Sequence, residues 1–131
     1  MYNKLSEQSK KEFSKRISKI YFDNNEIIDK YSERMITREM SKGEKSWVLF
    51  REDYISNTNY EFLFTKYYKQ PYDKSILGRL QEKFPEPDFK CSATYVNYST
   101  HDFLNPDSPD VNYYIVKVEW GSRDDCKCVL F

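Results

Sequence analysis

Long apolar runs are missing from this chain. No stretch approaches the roughly 18 residues needed to span a bilayer, and the opening Met-Tyr-Asn-Lys-Leu-Ser-Glu lacks the apolar core of a signal segment. The sequence therefore reads as intracellular, soluble and cytoplasmic, with no membrane partner. Small residues are scarce too: three glycines and a single alanine, Ala93, exclude collagen-like and other glycine-rich architectures. Three cysteines, an odd number, fit a reducing compartment better than a disulfide scaffold. Net charge is also absent, since 21 basic and 21 acidic residues cancel, so nothing about the total demands a nucleic acid partner.

What the chain does have is aromatic mass. Of 131 residues, 12 are tyrosine, 9 phenylalanine and 2 tryptophan, while hydrophobic content is only 39%. A chain of this length forms one domain, residues 1 to 131, with a thin aromatic core between two layers. Lys, Asn, Ile, Tyr and Phe are abundant, a bias that points to an AT-rich genome of the kind found in many viruses and phages. Charge is unevenly spread: residues 1 to 51 carry 12 basic against 8 acidic residues, net +4, and the remainder is net −4. The chain is a mild dipole.

Helical spacing of Phe13, Ile17, Ile20 and Tyr21 predicts a first helix over 6 to 21, with Ser6 as N-cap. Asp23-Asn24-Asn25 is expected to interrupt it, and Ile27, Ile28, Tyr31 and Met35 mark a second helix ending near Gly43. Ser46 to Arg51 reads as a strand. Residues 60 to 68 fit two periods: Tyr60, Phe62 and Phe64 alternate, whereas Tyr60, Leu63, Phe64, Tyr67 and Tyr68 follow a helix that a Thr58/Glu61 capping box would start. The helix is the preferred reading. A further helix, capped by Asp73, presents Ile76, Leu77, Leu80 and Phe84. Phe89, Cys91, Ala93 and Tyr95 then alternate as in a half-buried strand, and residues 99 to 110 form an acidic loop.

The last nineteen residues read best as a β-hairpin. With Gly121 to Asp125 as the loop, Trp120 faces Cys126, Val118 faces Cys128, Val116 faces Leu130, and Glu119 faces Lys127. Two other patterns share the string. Cys128-Val-Leu-Phe131 satisfies a prenylation motif, but its strand is expected to be buried and the upstream Asp124 and Asp125 are acidic rather than basic. Pro109-Asp110, followed by Asp125-Cys126-Lys127, resembles the paired acids and lysine of restriction-endonuclease-like nucleases. That resemblance implies a divalent metal held by two acids. The hairpin instead sends Asp110 about 33 Å along the strand from the turn.

Cys91, His101, Cys126 and Cys128 lack the usual zinc spacing, and no cofactor, metal or catalytic residue is expected. The residues left for partner binding are Lys11, Lys15 and Lys19, at i, i+4 and i+8, with Arg16 beside them, and the tyrosines Tyr67, Tyr68 and Tyr72. The expected architecture is α+β, an N-terminal helical pair and one or two further helices on a small antiparallel sheet that ends in a C-terminal β-hairpin. The expected role is that of a non-catalytic interaction protein binding another protein, from a host or a second copy of itself, through tyrosine-rich surface. A nucleic-acid-binding module using the basic face of the first helix is the alternative, and a metal-dependent nuclease the second. A sheet edge at 126 to 131 also allows homo-dimer formation by strand pairing.

Overall fold

The structure, a computed structural model, describes residues 2–55, 59–99 and 110–121. Four helices precede most of the sheet: α1 Tyr2–Lys30, α2 Ser32–Ser41, β1 Ser46–Asp53, α3 Asn59–Thr65, α4 Ile76–Lys83, β2 Phe89–Ser99 and β3 Asp110–Trp120. The sheet is antiparallel in the order β1-β3-β2 and ends in the β2–β3 hairpin. The α+β architecture expected from the sequence is the one observed.

The sequence expectation fails first at Asp23-Asn24-Asn25, where α1 runs on without interruption. The Asn24 and Asn25 side-chain amides donate to the carbonyls of Ile20 and Tyr21, at 2.8 and 2.9 Å, and both residues are buried. Asparagine disfavours a helix because it competes for backbone groups. Here it bonds the preceding turn of its own helix, and that conflict disappears. The chain bends instead at Tyr31, whose φ is −123°, where the Ser32 hydroxyl donates to the Ile28 carbonyl at 2.6 Å.

Gly43 does stop α2. It adopts φ 82°, while its N–H bonds the Met40 carbonyl and the Glu44 N–H bonds that of Glu39, each at 3.0 Å. That pair of bonds needs the left-handed residue that glycine supplies at no steric cost. The helical reading of the tyrosine-rich segment holds for Asn59–Thr65, with Tyr60, Leu63 and Phe64 buried. Thr58 lies outside the described residues. The cap of α4 is Ser75 rather than Asp73, because the Ser75 hydroxyl accepts the Gly78 N–H at 3.1 Å.

Alternation along β3 puts Tyr114, Val116 and Val118 fully inside, against the helices, and leaves Tyr113, Ile115, Lys117 and Glu119 half-buried on the outer face. Trp47, Leu49, Tyr21, Ile28, Ile36, Ile76, Leu80 and Phe84 join them and the buried α3 residues in one core. Burying each aliphatic side chain contributes about 1.5–3 kcal/mol. Both edges of β3 are occupied: Val118 pairs with Trp47 and Cys91, Val116 with Phe50 and Ala93, and Trp120 with Phe89. The partners expected for them, Cys126, Cys128 and Leu130, lie outside the described residues, as do His101, most of the acidic loop and the Asp125 and Lys127 of the nuclease pattern. Asp110 starts β3 opposite Ser99, at the far end of the strand from Trp120.

Candidate interaction surface

The 29 residues of α1 make a rod of about 43 Å. Every residue from Glu7 to Arg16 is exposed, whereas the second half of the helix is pinned along its length. The pin is aromatic. Tyr21, fully buried, sets its ring edge-on to Phe22, Tyr67 and Tyr72 at 5.4, 5.0 and 5.9 Å between centroids. Its hydroxyl accepts the Lys69 N–H at 3.0 Å and lies 3.4 Å from the carbonyls of Lys69 and Lys74. A single α1 side chain thus orders the segment between α3 and α4.

One turn further on, Arg79 from α4 donates to Asn25 and Asp29, and its guanidinium lies 4.1 Å from the Tyr72 ring centroid. The Tyr72 hydroxyl donates to Asp29 at 3.3 Å. Burial, with the charge of Asp29 behind it, raises the Tyr72 pKa despite the opposing Arg79. Tyr67 and Tyr72 are therefore half-buried, each with one side of its ring packed against the core. Of the three expected tyrosines only Tyr68 projects, at 62% exposure.

The basic residues divide in the same way. Arg16 pairs with Glu52 at 2.7 Å, and its guanidinium sits 5.9 Å from the Tyr60 ring centroid. Lys11, Lys15 and Lys19 are exposed and make no ion pair among the described residues. By helical geometry Lys15 stands on the side of α1 opposite Ile17 and Phe13. The lysine stripe and the tyrosines do not share a face.

A surface the sequence did not mark lies between them. Phe13 and Phe62 are 48% and 54% exposed and line one groove of about 400 Å³, together with Ser14, Ile17, Ser18, Asn59, Tyr67 and Lys69. Phe62 points outward because a helix over Asn59–Thr65 turns Tyr60, Leu63 and Phe64 inward. Phe13 stays open because α1 extends past the core at that level. A second depression of about 400 Å³ shares Phe13, Ile17 and Asn59 and continues to Arg16, Glu52, Tyr54 and Tyr60. The apolar groove thus has a polar end.

At that end Tyr60 is buried beside Glu52. Burial first, then hydrogen bonding to Glu52 and its charge, push the phenol up to about 12, against the pull of Arg16. Tyr54, 80% exposed, caps β1 with φ 61° while its N–H bonds the Asn112 carbonyl at 2.8 Å. A tyrosine held in the left-handed region carries backbone strain.

No group of three or more His, Cys, Asp or Glu side chains able to hold a metal occurs among the described residues. Cys91 is half-buried against the core, its thiol contacts the Phe84 carbonyl at 3.6 Å, and burial pushes its pKa up to about 11. That makes it a poor thiolate nucleophile. Among the described residues no helix is long and apolar enough to cross a membrane. No protein-family model, curated protein or solved structure matches the chain.

Proposed function

We propose that the chain is a non-catalytic protein-interaction module that works inside the cell and binds another protein through the groove between the N-terminal half of α1 and α3. One observation carries the reading. Two phenylalanines, 49 positions apart in sequence, line the same groove with half their surface in water. Apolar side chains gathered in a concave site favour burial by a partner, and aromatic residues dominate the energetics of such contacts. Lys69 lines the same groove, and Arg16, Glu52 and Tyr54 line the depression that continues from it, so the anchor pair has a polar rim. The AT-rich residue bias supports a viral or phage source, in which case the partner is a host protein.

Capture from a lysate tests the reading when it is made quantitative. Proteins retained by the wild-type chain are compared with those retained by Phe13→Asp and Phe62→Asp variants, and by a triple Lys11→Glu, Lys15→Glu, Lys19→Glu variant. The expected result is at least one protein lost from both phenylalanine variants and kept by the lysine variant, with the purified pair reproducing the loss. Capture indifferent to both phenylalanines would overturn the groove. A gel shift with nucleic acid at low salt, weakening steeply as salt rises and abolished in the lysine variant, would instead establish the nucleic acid alternative.

A further inference from the structure

The two edges of the sheet are built differently. β1 carries a register shift between Val48 and Phe50, ends in the charged run Arg51-Glu52-Asp53, and is closed by the positive φ of Tyr54. A bulge and charges on an edge strand are the ordinary protections against pairing with another chain. β2 has no bulge and a single charge. Its eleven residues run against β3 in unbroken register from Phe89 to Ser99, with no proline, no glycine and one charge, Lys90, which is matched across the sheet by Glu119. No strand pairs with its other edge among the described residues.

We infer that the chain forms a two-fold dimer through antiparallel pairing of β2 with β2 of a second copy, joining two three-stranded sheets into one of six. The sequence of β2 suits itself as a partner. With the axis at Thr94, Thr94 faces Thr94 on the exposed outer side, Ala93 faces Tyr95 on the inner side, and Ser92 faces Val96. Each is a compatible cross-strand pair, threonine with threonine and small with large. Antiparallel pairing exchanges the ends of the strand, so the two Lys90 charges stand at opposite ends of the joint and never meet. An isologous contact needs that self-complementarity. The pairing leaves the groove at Phe13 untouched and does not depend on it.

Sedimentation of the full chain across a range of concentrations, with amide hydrogen exchange at both extremes, tests this. The expected results are a mass that doubles with concentration, and β2 amides that slow at high concentration while those of β1 do not. Thr94 is exposed, so Thr94→Lys and Thr94→Glu should each fold, as circular dichroism will report. Each should weaken self-association roughly ten-fold or more by setting like charges against each other. Mixing the two variants should restore the dimer. A chain that is monomeric throughout, a dimer protected elsewhere, or a dimer indifferent to both variants overturns the inference. If the variants do not fold, the exchange pattern of the wild-type chain decides.

Discussion

Residues 7 to 16 and 17 to 30 belong to one helix, but the first ten hold a single large apolar residue, Phe13, where the next fourteen hold Ile17, Ile20, Tyr21, Phe22, Ile27 and Ile28, and the structure treats the two halves oppositely. The second half is stitched to the segment 67–83 by Tyr21, Asn25 and Asp29, and by the Ile28 carbonyl, which accepts from Lys83 at 2.6 Å. Among the described residues the first half makes one ion pair to the body, Arg16 to Glu52, and keeps Phe13 in water. Helix formation is thus continuous while anchoring stops halfway. A helix continues wherever backbone hydrogen bonds are made, but it is held only where distant side chains reach it.

The largest effect should come from the anchored half. Tyr21→Ala removes a fully buried ring from contact with Phe22, Tyr67 and Tyr72 and leaves the Lys69 N–H without its acceptor. It should cost about 3–5 kcal/mol of unfolding free energy in a urea titration. A loss below about 1 kcal/mol would mean that the second half of α1 is no better fixed than the first.

Next in size, the junction between the halves should titrate. Tyr60 keeps its proton in the folded chain up to about pH 12, whereas an unfolded tyrosine loses it near 10. Burial raises Tyr114 in the same direction and pushes Cys91 to about 11 from an ordinary 9.0. The folded state therefore binds more protons in alkaline solution, and stability should fall as pH climbs from about 9, where the unfolded thiol titrates, toward about 12. Denaturant midpoints and phenolate absorbance recorded across that window check it. A constant midpoint would show that these phenols are not held neutral by the fold.

The smallest stability effect belongs to the free half. Phe13→Ala deletes a ring already half in water, so unfolding free energy should change by no more than about 0.5 kcal/mol, while the proteins captured through the groove are lost. A large destabilisation would show that Phe13 serves the core after all. The contrast between the two halves would then vanish.

Much of the fold could be read from period and punctuation. A compact aromatic and β-branched run marked β1, alternation marked β2, Gly43 marked the end of α2, and Ile76, Leu80 and Phe84 marked the buried face of α4. The misplaced cap of α4 was a local error of two positions, from Asp73 to Ser75, and the others have a distant source. Asn24-Asn25 looked like a break because asparagine offers bonds that compete with a helix, and only the position of Arg79, 54 residues away, shows where Asn25 is used. That Tyr67 and Tyr72 also pack against Tyr21 was not legible, because nothing local to them names it. Phe62 was legible only in part: once the helical reading of 59–65 is taken, it is the large apolar residue left on the outer side.

The sequence by itself determined the element types, the α+β class and the aromatic character of the core, because hydrophobic period, capping and turn residues act within a few positions of one another. Only the tertiary structure decided which tyrosines are spent inside, which phenylalanines are left in water, and that β3 lies between β1 and β2. Those outcomes depend on contacts far apart in sequence, such as Tyr21 with Tyr67 and Tyr72 and Ser46 with Glu119. Local pattern carries no record of which distant side chain will arrive first.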